Sequence, residues 1–175
     1  MPCLSVYAED HPQQPYKVLG LPEHISAELA RVGVHYAHCL PEQALGAKPT
    51  DAEVLAAYQS CVQPLRELSG YQQLQLVRES VHTQCLDEHS HSGAEVHLFV
   101  AGQALIGLHA AGMVYELICE KGDALVIPAG PRHWFDAALT DQVVAAGSLI
   151  LVTVGNALQF PALREPEACR AVCRN

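Results

Sequence analysis

From about Leu74 onward, the chain consists of short apolar runs separated by turn residues. Each run is about as long as one β-strand, and no helical periodicity lies between them. The runs read LQLVRE, VHLFVAG, QALIGLHA, MVYELICE, DALVIPAG, RHWFDAAL and SLILVTVG, with Gly, Pro or Asp between most of them. Many short strands with such punctuation predict a mainly β fold, built as an antiparallel sandwich or barrel.

Residues 1–70 contain two segments with helical signals. One runs from Pro22 to Arg31, with proline at its start and Gly33 just beyond its end. The other opens at a capping box formed by Thr50 and Glu53. These signals predict helices that precede the strands.

The helix that opens at Thr50 is expected to continue to about Leu68, just before Gly70. Its apolar residues recur at helical spacing and predict one buried face. They are Val54, Leu55, Tyr58, Cys61, Val62 and Leu65. Pro64 is expected to kink this helix or to end it early.

The length of 175 residues suits one domain. We expect residues 1–70 to carry the helices, 71–155 to form the β-barrel with the functional site, and 156–175 to form a C-terminal tail. Half of the residues are hydrophobic, which is enough for a core and excludes a disordered chain.

The charge balance is acidic, with 10 Lys and Arg against 19 Asp and Glu and no basic stripe. This argues against nucleic acid and anionic membranes as partners. No apolar run reaches the length of a membrane helix, and the N-terminus lacks the pattern of a secretory signal. Seven cysteines without a Cys-x-x-Cys pair fit reduced thiols, so we expect a cytoplasmic protein.

The chain has ten histidines, more than packing needs, and some stand at metal-ligand spacing. His89 and His91 are two residues apart, so on a strand both rings leave the same face. Glu95 follows, and His133 stands at the start of a later strand. Three neutral imidazoles and a carboxylate suit a divalent ion such as Fe, Ni, Mn, Co or Zn. This set leaves positions open on an octahedral ion, which implies catalysis or ligand capture.

These residues belong to two spaced motifs. The first is His-x-His, three residues, Glu95, six residues and Gly102; the second is Gly122, five residues, Pro-x-Gly, two residues and His133. Together they match the paired motifs of the cupin superfamily, whose fold is a double-stranded β-helix, a small antiparallel barrel. Where the second motif usually ends in Asn, this chain has Ala137, a change that affects no ligand.

His97 stands two residues after Glu95 and is expected to face the same side of its strand, into the barrel. Two interpretations are open for this residue. It either contacts the substrate or a metal ligand, or it is a packed ring with satisfied hydrogen bonds.

Beyond these motifs, the chain resembles the acireductone dioxygenases of methionine salvage, especially their bacterial members. The resemblance covers roughly residues 4–140. It includes segments outside the metal motifs: LSVY, DAEVLAAYQ, GYQ, LDEHSH, LFVAG, LICEKGD and VIPAGPRHWFD. It is therefore more specific than a match to cupins in general.

The resemblance implies one Fe(II) or Ni(II) ion per monomer, held by His89, His91, Glu95 and His133. The substrate would be a methylthio acireductone, an enediol-ketone whose oxygens chelate the metal. With iron, the family cleaves it with O2 to 2-keto-4-methylthiobutyrate and formate; with nickel, a different cleavage also releases carbon monoxide. The expected partners are this small molecule and O2, and the expected state is a monomer or a weak dimer.

Two further residues match positions with roles in the family. Glu88, next to the first ligand, matches a family Glu and is expected to accept an enediol proton. Phe135, two residues beyond His133, matches a family aromatic that lines the pocket. The resemblance therefore implies a catalytic role for Glu88 and substrate contact for Phe135 and His97.

The chain departs from the family at two substrate-facing arginines. One is replaced by His97, and no arginine stands between Arg132 and Arg164, where the second is usual. Two other functions therefore stay open. One is a cupin oxygenase or isomerase that acts on a different chelating enediol or diketone, and the other is a non-catalytic metal-binding cupin.

Overall fold

The computed structural model describes residues 1–46, 48–70, 75–79, 85–136 and 149–154. Its helices are Pro22–Ala30 (α1), Asp51–Ala57 (α2) and Gln59–Ser69 (α3). Its strands are Cys3–Ala8 (β1), Lys17–Leu19 (β2), His35–His38 (β3), Gln75–Glu79 (β4), Cys85–His89 (β5), Glu95–Ala101 (β6), Gln103–Ala110 (β7), Met113–Glu120 (β8), Asp123–Ile127 (β9), Arg132–Asp136 (β10) and Leu149–Val154 (β11).

The strands form two antiparallel sheets that pack face to face. The strand order is β2-β1-β8-β7-β10-β5 in the first sheet and β3-β9-β6-β11-β4 in the second. Apolar side chains from both sheets and from α1 meet in one buried cluster, which includes Leu4, Leu29, Phe99 and Ile106. The predicted mainly β, antiparallel fold with N-terminal helices is confirmed.

Strand β6 separates two apolar clusters, because its side chains alternate between its two faces. Phe99 lies in the cluster between the sheets, whereas Val96 and Leu98 pack against α2 and α3 on the other side. By the same alternation, Glu95 and His97 share the face of Phe99. The polar residues of β6 therefore point into the space between the sheets.

The second predicted helix is interrupted at Tyr58, which corrects the expectation of one helix to about Leu68. Tyr58 has φ −115° and ψ 22°, and α3 then continues through Pro64. Ala57 and Tyr58 are consecutive and both fully buried in the cluster beneath α2 and α3. Consecutive buried residues also occur on one face of an unbroken helix, so nothing in the structure explains why the break lies at Tyr58 and not at Pro64.

Two expectations lie wholly or partly beyond the described ranges. The predicted tail over 156–175 and Ala137 fall outside them. The division of a single domain at residues 70 and 155 stays a prediction. In the part of the chain that is described, no helix is long and apolar enough to cross a membrane.

The indole ring of Trp134 on β10 packs directly over Gly107 on the neighbouring strand β7. Trp134 pairs with Gly107 in the antiparallel register, and a Cβ atom at Gly107 would lie 1.9 Å from Cε2 of Trp134. Only a residue without a side chain leaves room for the ring here. This close approach helps to fix β10, which carries His133.

We expect Gly107→Ala to destabilise the protein by about 1–3 kcal/mol, because the indole must move. Urea unfolding, followed by tryptophan fluorescence and circular dichroism, measures this. Gly20→Ala is the control, since the nearest heavy atom to a Cβ there is 3.9 Å away, and it should change stability by less than about 0.5 kcal/mol. Equal effects of the two substitutions would contradict the packing argument.

Candidate metal centre

Three chain segments bring four potential ligands together at one end of the space between the sheets. His89 ends β5 and His91 follows it, Glu95 opens β6, and His133 lies on β10. His133 pairs directly with His89 in the antiparallel register of β10 and β5. One nitrogen or carboxylate oxygen from each residue lies within 4.8 Å of the others. The four predicted ligands therefore converge.

A glycine turn joins the two sequence motifs. Gly130 has φ +105°, a conformation that residues with a side chain rarely adopt. From this turn its N–H donates a 3.1 Å hydrogen bond to the carbonyl oxygen of His91. The turn thereby ties the loop that carries His91 to the segment that leads into β10.

Two of the imidazoles are oriented by backbone carbonyls. Nδ1 of His89 lies 2.7 Å from the oxygen of Asp87, and Nδ1 of His133 lies 3.0 Å from the oxygen of Pro131. A carbonyl only accepts, so each Nδ1 carries the proton and donates it. Each Nε2 then keeps a lone pair for a metal ion.

Glu95 lies among these imidazoles, with only 12% of its side chain exposed. Its Oε2 lies 2.7 Å from Nε2 of His133 and 3.7 Å from Nε2 of His91. Burial acts to raise the pKa of Glu95, but His97 and His133 override it and hold that pKa well below its usual range. The carboxylate is therefore ionised at neutral pH.

The donor set fits a divalent ion. Oε2 of Glu95 and Nε2 of His133 are buried, and neither has a hydrogen-bond partner among the described residues, although the two atoms are adjacent. Orphaned polar atoms are costly inside a protein. A cation that accepts both lone pairs satisfies them, and this set of nitrogen and carboxylate donors is one that first-row divalent ions prefer.

The site is most open on the side of His91, whose side chain is 43% exposed. Burial lowers the pKa of His91, and the opposing effect of Glu95 does not reverse this. For His133, Glu95 and the Pro131 carbonyl outweigh burial and raise the pKa. His91 thus offers the neutral imidazole that binds metal ions, at the edge from which a ligand can enter.

His97 and Phe135 lie beside the four donors. Nε2 of His97 is 3.2 Å from Oε1 of Glu95, and the His97 side chain is 6% exposed. Its ring stacks on Phe135 with 6.0 Å between centroids, and Phe135 stacks in turn on Phe99 at 6.5 Å. The two residues predicted to contact the substrate thus lie together beside Glu95, and their contact with a substrate stays a prediction.

Glu88 is the one predicted site residue that lies apart from this group. It neighbours His89 on β5, where the pairing with β10 shifts register, so its contacts and not strand alternation show where its side chain lies. Its carboxylate pairs with Nδ1 of His109 on β7, and its Oε2 lies 3.1 Å from Nη1 of Arg132 on β10. A role as proton acceptor for Glu88 stays a prediction, and these contacts do not favour it.

Sequence reasoning did not find the partners that orient these groups. The carbonyls of Asp87 and Pro131 have no residue-specific signal, because any residue supplies a carbonyl. His109 and Gly107 are two residues apart on a predicted strand, so the sequence places them on the same face. Only the pairing of β7 with β10 shows that His109 lies opposite Arg132. Such contacts depend on register, which one sequence does not specify.

Comparison with known proteins shows which family the chain resembles. The ARD/ARD′ family model matches residues 8–147. The acireductone dioxygenase of Stutzerimonas stutzeri strain A1501 is 39% identical over 153 residues, covering 83% of this chain and 84% of that protein. The acireductone dioxygenase of Pseudomonas paraeruginosa strain PA7 is 40% identical over 144 residues, covering 78% and 80%.

A solved structure shows the same fold. The acireductone dioxygenase from Bacillus anthracis, which has a cadmium ion in its active centre, is similar with a TM-score of 0.68. The match covers 94% of this chain and 98% of that one at 19% identity. It confirms the predicted cupin-type fold, and the relatives confirm the predicted enzyme class, a dioxygenase. From its sequence, its fold and its relatives, this chain belongs to the acireductone dioxygenase family.

Proposed function

We propose that the protein is a metal-dependent dioxygenase that cleaves a methylthio acireductone with O2. The observation that carries this proposal is a pair of adjacent, buried donor atoms on Glu95 and His133, which have no hydrogen-bond partner in the part of the chain that the structure describes, with His89 and His91 beside them. Family membership supports the substrate. We assign one ion per monomer to these four residues.

The side chains prepare the site before substrate enters. The carbonyls behind His89 and His133 hold each ring with Nε2 free, and the Glu95 carboxylate offsets the charge of a cation. A divalent ion in this position supplies positive charge and Lewis acidity, which stabilise an ionised enediol. The exposed His91 edge admits the substrate, while His97 and Phe135 keep water from the far side of the site.

We propose Fe(II) or Ni(II) as the ion, because the donor set accepts both and the family uses both. With Fe(II) the products would be 2-keto-4-methylthiobutyrate and formate, in methionine salvage; with Ni(II) carbon monoxide would also be released. The partners would be the substrate and O2 alone. A cytoplasmic monomer or weak dimer fits this function.

The position of Glu88 favours a structural role. Strand β5 is at the edge of the first sheet, and Glu88 links it to Arg132 on β10 and His109 on β7. These contacts help to hold the strand that presents His89. We propose that Glu88 stabilises this edge and that its carboxylate does not take up a substrate proton.

Replacing Glu95 tests the metal site. Glu95→Ala should weaken Ni(II) binding by more than about 100-fold, because loss of a residue that merely supports a ligand already costs about 10–100-fold. Calorimetric titration of metal-stripped protein and elemental analysis of the purified variant measure this. His24→Ala, an exposed position on α1, is the control. Unchanged metal content in Glu95→Ala would refute the ligand assignment.

Turnover tests the substrate. Metal-stripped protein, reloaded anaerobically with Fe(II) or Ni(II), is mixed with acireductone and air, and the loss of substrate absorbance is followed. We expect decay above the non-enzymatic rate, products that differ between the two metals, and no enzymatic decay with His133→Ala. A fully loaded protein that leaves acireductone untouched would favour another chelating enediol or diketone as the substrate.

Glu88→Gln separates the two roles of Glu88. If the residue only stabilises β5, the substitution costs about 0.2–1 kcal/mol of stability, as for other partly exposed ion pairs, with kcat little changed. Loss of a general base would instead lower kcat by about 100-fold or more. His109→Gln removes the same contact from its other side and should reproduce the stability loss. A steep fall of kcat in Glu88→Gln alone would restore the catalytic role.

A further inference from the structure

The two oxygens of the Glu95 carboxylate contact different imidazoles. Nε2 of His97 lies 3.2 Å from Oε1, while Oε2 lies 2.7 Å from Nε2 of His133. A carboxylate among imidazoles can turn about its terminal bond and present either oxygen, or both, to a cation. The contact from His97 singles out Oε1.

The side chain of His97 is almost fully enclosed by the protein, with 6% of it exposed. Its Nδ1 is buried and has no hydrogen-bond partner among the described residues. One ring face stacks on Phe135, and its backbone is paired with Leu125 on one side and with Thr153 on the other. The backbone of His97 therefore lies in the middle of the second sheet, its ring lies between the sheets, and the edge of the ring near Glu95 is the part that can act.

The nitrogen of His97 that acts as donor follows from the group that it faces. The Glu95 carboxylate only accepts hydrogen bonds, so the nitrogen that faces it must be the one that carries a proton. Nδ1 is enclosed without an acceptor among the described residues, so Nε2 is the nitrogen that offers a donor to a partner. His97 thus presents one N–H donor to Oε1 of a carboxylate whose side chain is 12% exposed.

We infer that His97 is a positioning residue that holds Oε1 of Glu95, so that Oε2 alone is presented to the bound ion. This inference rests on the metal site of the proposed function. It assigns to His97 a contact with a metal ligand in place of the substrate contact that the resemblance implied. The positions that the substrate needs on the ion stay open because the second carboxylate oxygen is held away.

Two substitutions of similar size distinguish the effect of the His97 N–H donor from the effect of the volume that the side chain fills. His97→Met keeps an adaptable apolar side chain without a donor, whereas His97→Gln places an amide N–H about where Nε2 lies. Each metal-stripped protein is titrated with Co(II), and the affinity and the visible absorption of the bound ion are recorded without substrate. Near-UV circular dichroism checks that each variant is folded.

We expect His97→Met to bind Co(II) about 10–100-fold more weakly, as when other partners of metal ligands are removed. Its visible absorption should also weaken. Without His97, Oε1 of Glu95 is free to become an additional ligand, and a higher coordination number lowers the intensity of the Co(II) bands. His97→Gln should stay close to the parent protein in both measurements. If His97→Met does not fold, His97→Asn, whose amide is too short to reach Oε1, takes its place.

The outcomes distinguish this inference from the proposed function. If the parent protein fails to bind Co(II), the metal site itself is refuted. If the parent binds and His97→Met matches it in affinity and spectrum, the positioning role is wrong while the metal site stands. Equal weakening by folded His97→Met and His97→Gln would also overturn the inference, because the donor would then not be what matters.

Discussion

The buried carboxylate of Glu95 is the constraint on which the site depends. A charge enclosed between two sheets is costly unless several partners compensate it. Here the compensation comes from imidazoles on three sides, with His133 and His91 facing one oxygen and His97 the other. His97 and His133 keep the pKa of Glu95 low, so the charge that would attract a cation persists at neutral pH.

Antiparallel pairing brings these groups together. The register of β5 and β10 sets His133 opposite His89, and the left-handed turn at Gly130 ties the His91 loop to the same place. On β6, strict alternation directs Glu95 inward and Val96 toward the helices. A slip by one residue in β6 would turn the carboxylate out of the site and bury it among apolar residues.

Two consecutive residues on β5 have different surroundings. The pairing of β5 with β10 shifts register between Leu86 and His89, so contacts and not alternation show where the side chain of Glu88 lies. Glu88 lies on the outer side with His109 and Arg132, although the sequence resemblance gives it a role beside the ligand.

The sequence by itself determined the family, the mainly β fold and the set of four converging donors. Spacing in two motifs is a local property, and strands with a period of two translate it directly into shared faces. Only the tertiary structure decided which oxygen of Glu95 meets which imidazole, that His97 is closed off beside it, and that Glu88 links β5 to its neighbours. Those contacts join strands that are distant in the chain, so they depend on register and packing, which no local pattern encodes.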